Sequence, residues 1–138
     1  MKFLLPLVLL LTITTSFAME TNSTSFTLPG SAWQVTTFAG QSPLTEHPIT
    51  FEFDNEGNIA GDASCNRFGS SCQIEGDQIE VGPLRSTRRA CEPEVMQQEH
   101  KFLALLAAAT TWSLDGDNLV LTTPDGEIRA GRQPAPAD

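Results

Sequence analysis

The 138-residue chain contains no tyrosine and only two tryptophans, Trp33 and Trp112. So few rings exclude an aromatic sugar-binding platform or a base-stacking surface. Positive charge is equally scarce: 8 Lys and Arg stand against 17 Asp and Glu, a net charge of −9. A domain this acidic repels nucleic acid and anionic lipid, which excludes both as partners. His47 and His100 are the only histidines, so a three-His metal site cannot be assembled. No Gly-x-Ser-x-Gly elbow, phosphate loop or His-Glu-x-x-His motif is present. The expectation is a protein that is not an enzyme, has no catalytic or metal-ligating residues, and carries no cofactor.

Long apolar runs are missing too. Phe3 to Ile13 is apolar apart from Pro6 and Thr12, roughly half of the ~20 residues a spanning helix needs. It follows the positive Met1-Lys2 and precedes Ser16-Phe17-Ala18, the small-x-small pattern of a signal-peptidase site. Residues 1–18 therefore read as a cleavable signal peptide, with no membrane span and no Cys near the cut for a lipid anchor. The expected product is soluble and monomeric, in the periplasm or secreted. Loss of Lys2 leaves 7 basic against 17 acidic residues, a net charge of −10. About 120 residues remain, enough for a single domain with its own core. Residues 19–28, rich in Ser, Thr and Asn, read as a flexible lead-in containing the sequon Asn22-Ser23-Thr24. The domain is expected over residues 29–132, and 133–138 as a disordered Pro/Ala tail.

What is present is a succession of short alternating segments between turns. Trp33–Phe38 reads as a strand, and Ile49–Phe53 alternates in strict period 2. Asp54–Gly57 turns into a strand at Asn58–Asp62. Ser71–Ile74 and Gln78–Val81 flank Glu75-Gly76-Asp77, and Thr111–Leu114 and Asn118–Leu121 flank Asp115-Gly116-Asp117. A last strand, Glu127–Gly131, follows Pro124-Asp125-Gly126. Between Pro93 and Ala109 there is no Gly, and Val95, Phe102, Leu103, Leu106 and Ala109 recur at helical spacing. Pro93 and the neighbouring Glu92 and Glu94 suit a helix start. The fold class is α+β: a curled antiparallel β-sheet or partly open barrel of about seven or eight strands with one amphipathic helix.

The acidic turns are candidate metal or acid/base sites, and Asp54–Asn58 loosely resembles a calcium loop. Its Gly comes too early and the bidentate Glu is missing, so these turns read as structural. His47 precedes Pro48 in a loop, and His100 falls on the polar face of the helix. Cys65, Cys72 and Cys91 are separated by six and eighteen residues, which fits no zinc-ligand spacing. Two of the three are expected to pair, and an oxidising compartment, which favours Cys91 in a disulfide, argues against a Cys91–His100 nucleophile pair. The residues themselves leave the pairing open.

Cys65-Asn66-Arg67-Phe68 and Thr87-Arg88-Arg89-Ala90-Cys91 resemble the Gly-Cys-Asn-x-Phe and Thr-x-x-Ala-Cys boxes of the META domain family, which includes the heat-shock protein HslJ. The flanks are similar as well: an early Trp33, a helix with Phe102, Leu103 and Leu106, and a hairpin with Trp112, Leu114, Leu119 and Leu121. The resemblance spans about residues 29–131. It implies that Cys65 and Cys91 lie close together, and export would let them bond. It also implies a role in envelope maintenance, stress tolerance or secretion. Ser64 stands where the family has Gly, Cys72 occupies an aromatic strand position and shares a face with Ile74, and Arg89 replaces an apolar residue.

Arg85, Arg88 and Arg89, joined by Arg67, form a basic patch on an acidic chain, and with Asn66 they are the candidate contact for a partner protein or a small anionic ligand. Pairing with Glu92 and Glu94 is the expectation to set against that role. Two further readings are an inhibitor of an extracellular hydrolase, and an enzyme acting on an anionic substrate through Arg85, Arg88 and Arg89. The latter lacks a nucleophile or base. A closed, filled barrel favours surface-mediated protein binding; an open apolar mouth favours a small-molecule ligand.

Overall fold

The computed structural model describes residues 26–134, together with Ser16. The expected signal peptide (1–18, Ser16 apart), most of the expected lead-in and residues 135–138 of the expected tail lie outside the described residues. No helix among the described residues is long and apolar enough to cross a membrane.

Nine strands and one helix follow one another as β1 Ala32–Phe38, β2 Thr50–Phe53, β3 Asn58–Asp62, β4 Arg67–Glu75, β5 Gln78–Val81, β6 Arg85–Ser86, α1 Pro93–Ala107, β7 Thr111–Asp115, β8 Asn118–Thr123 and β9 Gly126–Gln133. All pairings are antiparallel, in the order β3-β2-β1-β9-β8-β7-β5-β4-β6, and β3 also pairs with β4. Eight strands thus close into a ring, and β6 hangs on β4 as an edge. The ring is irregular, because β5 and β7 share the single pair Gln78↔Thr111.

The count exceeds the expected seven or eight because of β6. Its two exposed residues carry no alternation to read, and they become a strand only through pairing with Phe68 and Gly69 of β4. β4 is also longer than its expected core of Ser71–Ile74, since its first half pairs with β3 and its second with β5. The tight turns behave as their residues demand. Gly76 and Gly116 each adopt φ 60°, the conformation that a two-residue hairpin needs at its first central position.

Helix α1 starts at Pro93, which loses no helical bond at a first-turn position, and ends at Ala107 rather than Ala109. Its C-terminal Ala108 N–H turns back to Leu105 O, and Thr110 N–H already bonds Thr122 O, continuing toward β7. The helix plugs the ring. Phe102 is 0% exposed, with its ring centroid 5.9 Å from Phe68, 6.4 Å from Phe38 and 6.5 Å from Phe51. Ile59, Leu106, Leu119, Leu121 and Ile128 complete a filled interior.

Both expected domain boundaries move outward. Leu28 is 1% exposed, and Phe26 packs edge-on against Trp33 at 6.0 Å while the Arg132 guanidinium lies 4.3 Å from its ring centroid. The end of the expected lead-in therefore belongs to the core. At the other end Gln133 pairs with Ala32 inside β9, not in a tail.

Candidate functional site

The two Cys boxes meet beside α1. A disulfide joins Cys65 to Cys91, the pair implied by the family resemblance, and Cys72 is a buried free thiol. Burial among apolar side chains pushes the Cys72 thiol up to about 11, which keeps it protonated and unreactive at neutral pH.

Asn66 sits at the junction, 3% exposed, and every polar atom of its side chain is used. Its Oδ1 accepts from Arg89 N at 2.6 Å and from Thr87 Oγ1 at 2.9 Å, while its Nδ2 donates to Glu99 Oε2 at 2.7 Å and Arg89 O at 3.3 Å. Glu99, also 3% exposed, completes the clasp by accepting at Oε1 from Asn66 N (2.6 Å) and Cys65 N (3.3 Å). Beside it Gln98 Nε2 donates to Ser64 Oγ at 2.6 Å and His47 O at 2.9 Å, and its Oε1 accepts from Leu44 N at 2.7 Å. A buried carboxylate and amide thus tie α1 to two loops directly, and through Asn66 to the Thr87–Arg89 segment. Such groups are costly to bury alone and become structural once every lone pair and proton is matched.

Asn66, expected in the contact patch, lines the groove that Arg88 and Arg89 also line, but it is itself buried, and its amide is fully engaged in joining the two boxes. Glu99 and Gln98 were not singled out from the sequence. Their signal was present: Val95, Glu99, Phe102 and Leu106 form one stripe at helical spacing, and a polar residue inside an apolar stripe marks a buried, partnered group.

The arginines behave differently. Arg67, Arg85, Arg88 and Arg89 are all exposed. Among the described residues, ion pairs within 4.0 Å occur only at Arg129, with Asp115 at 3.1 Å and Glu127 at 3.3 Å. The expected pairing of the four arginines with Glu92 and Glu94 does not form. Glu94 instead faces a groove on the other flank of the helix, alongside Lys101. The four do not form one patch either. Arg67 lies opposite Asp62 across β3 and lines a shallow depression with Glu52, so acidic neighbours offset it. Asp62 itself accepts Ser64 N–H at 3.0 Å. Arg88 and Arg89 line an open groove of about 300 Å³ between the 86–90 segment and α1. Ser86, Met96, His100 and Leu103 line it too, and Glu99 closes its inner end. Arg85 of β6, opposite Gly69 of β4, stands at the adjoining edge.

The remaining candidates are structural. Asp54 accepts from Glu56 N at 2.8 Å and from Asn58 N and Asn58 Nδ2 at 2.9 Å, bonds that favour its charged form and hold its pKa below the ordinary value. That carboxylate is occupied in closing its own turn. Among the described residues no three His, Cys, Asp or Glu side chains converge.

The fold is shared with solved structures. A protein from Burkholderia xenovorans, determined by NMR, is similar with a TM-score of 0.64 and 21% identity over 77% of this chain and 83% of that one. A second NMR structure gives 0.63 and 19%, covering 75% of this chain and 90% of that one. A DUF4847 family protein from Bacteroides vulgatus gives 0.59 and 12%, covering 75% and 93%. At these identities the likeness is one of fold. No curated protein matches. The META domain model matches residues 26–134, from the Phe26 that packs on Trp33 to the end of β9, and the chain belongs to the META domain family.

Proposed function

We propose that this META-domain protein is exported and acts as a binding protein, not an enzyme, whose partner is anionic and contacts the arginine-bearing edge formed by Arg85, Arg88 and Arg89. The observation that carries this reading is that these exposed guanidinium groups have no carboxylate partner among the described residues, on a chain of net charge −9. Charges left unpaired in an environment rich in opposite charge are available for an incoming ligand. The filled ring supports contact at the surface, because Phe102 occupies the space that an internal ligand would need. Export is supported by the leader-like residues 1–18 and by the disulfide, a bond that persists in oxidising compartments. Envelope maintenance, stress tolerance or secretion is the setting suggested by the family resemblance.

The test is capture from the native envelope or culture fluid with the wild-type chain and with Arg85→Glu/Arg88→Glu/Arg89→Glu as baits. A partner retained by the first and lost by the second is the expected result. Repeated capture of nothing, with no ligand-induced rise in melting temperature, overturns the reading. So does a turnover reaction that Arg88→Ala abolishes, since that would make the arginines part of an active site.

A further inference from the structure

The groove between the 86–90 segment and α1 combines three features that narrow the chemistry of its occupant. One wall carries Arg88 and Arg89, and His100 adds a further polar group from the helix. The floor includes Met96 and Leu103, both half-buried and partly open to the groove. Beside it runs a strand edge. β6 has β4 as its one strand neighbour, and Thr87 N–H bonds across to Arg67 O. Antiparallel alternation then turns the N–H and C=O of Ser86 away from β4. The one carboxylate lining the groove, Glu99, is directed inward onto Cys65 N, Asn66 N and Asn66 Nδ2.

We infer that this groove receives an extended, acidic peptide segment of a partner protein, with carboxylates on Arg88 and Arg89, one apolar side chain on Met96 and Leu103, and main-chain bonds at Ser86. It rests on the anionic-partner reading above and specifies the partner. A bare phosphate leaves the apolar floor unused. A planar anionic membrane is repelled by the remaining surface of a chain whose net charge is −9. An extended chain uses the charge, the floor and the strand edge together, the pattern of strand addition to an exposed edge. The edge is also selective. Pro83 and the arginines next to it disfavour pairing with ordinary strands, and an acidic strand is the one whose charge they reward.

The experiment measures binding of a short synthetic peptide alternating Glu and Thr around one central Leu, against the same peptide with Ser for Leu. Phosphatidylglycerol vesicles and inorganic phosphate serve as further probes. Saturable binding of the Leu peptide is expected. Arg88→Glu/Arg89→Glu should weaken it by about tenfold or more, and both the Leu-to-Ser peptide and Leu103→Ser should weaken it further. Lys101→Glu, in the groove on the other flank, should leave binding unchanged. If Leu103→Ser lowers the melting temperature, Met96→Ser supplies the same comparison from a side chain that, unlike Leu103, is not packed against the hydrophobic core. Equal binding of the two peptides, or binding of vesicles or phosphate alone, overturns the inference while the anionic-partner reading stands. Arginine-dependent capture of a native partner with no peptide binding does the same. Absence of both peptide binding and native capture overturns both.

Discussion

Asn66 and Glu99 grip each other twice: the Asn66 backbone N–H donates to Glu99 Oε1 at 2.6 Å and its side-chain amide to Oε2 at 2.7 Å. The Cys65 box is thereby tied to α1, and through Asn66 Oδ1 the Thr87–Arg89 segment is tied to both. Glu99→Ala removes the acceptor and strands Cys65 N, Asn66 N and Asn66 Nδ2 in a buried site. Its expected cost is about 3 kcal/mol, read from urea unfolding midpoints. Glu99→Gln, which turns one acceptor into a donor facing a donor, should cost about 1–2 kcal/mol. Glu94→Gln, at an exposed position of the same helix, should stay within about 0.5 kcal/mol. Equal effects at positions 94 and 99 would refute the clasp.

Ser64 adopts φ 103°, in the left-handed region that favours glycine. Its Oγ accepts from Gln98 Nε2 at 2.6 Å and donates to His47 O at 3.2 Å, which accounts for a serine at this family glycine position. Ser64→Gly should be close to neutral, because relieved backbone strain offsets the lost bonds. Ser64→Ala keeps the strain and loses the bonds, at an expected cost of about 1–2 kcal/mol. Thermal unfolding of the pair separates the two contributions, and an alanine variant as stable as the glycine one would contradict it.

The Cys65–Cys91 bond closes a loop with a sequence separation of 26. The chain-entropy model gives about 3.5 kcal/mol for it, a large share of the ~5–15 kcal/mol that holds a small domain folded. Cys65→Ser/Cys91→Ser should lower the unfolding free energy by about that amount, and reducing agent should move the wild-type chain the same way. Cys72→Ala should remain reductant-sensitive. A reductant-insensitive wild type would remove the staple.

Cys72 offers a pH signature. Its folded pKa of about 11 lies above the ordinary 9.0 because burial disfavours the thiolate. A raised folded pKa contributes stability that is complete below pH 9.0 and lost as the pH climbs toward about 11. Wild type should therefore lose stability over that window, and Cys72→Val should lose less. Alkylation at neutral pH should require unfolding; rapid labelling of the native chain would contradict its burial.

Much of this molecule could be read along the chain. The hairpins were legible because period-2 alternation and Gly turns are local, and the Asn58–Asp62 and Gln78–Val81 strands have the bounds their residues suggest. α1 was legible from its start at Pro93 and its apolar spacing. The Cys65–Cys91 pair followed from the family likeness, not from spacing, which left three pairings open. β6 was invisible, because two exposed residues have no pattern and become a strand only beside Phe68 and Gly69.

The divide has a physical reason. Residue types and their period determine which segments bury a face, so the sequence by itself determined every strand but β6, the helix, the acidic character and the leader-like N-terminus. Which polar groups meet depends on how the ring closes around Phe102. Only the tertiary structure could place Asn66 inside, aim Glu99 at it rather than at an arginine, and carry Glu94 to the far flank of the helix. That arrangement left Arg85, Arg88 and Arg89 without a carboxylate partner among the described residues, a consequence of distances between segments far apart in the chain, which no local pattern encodes.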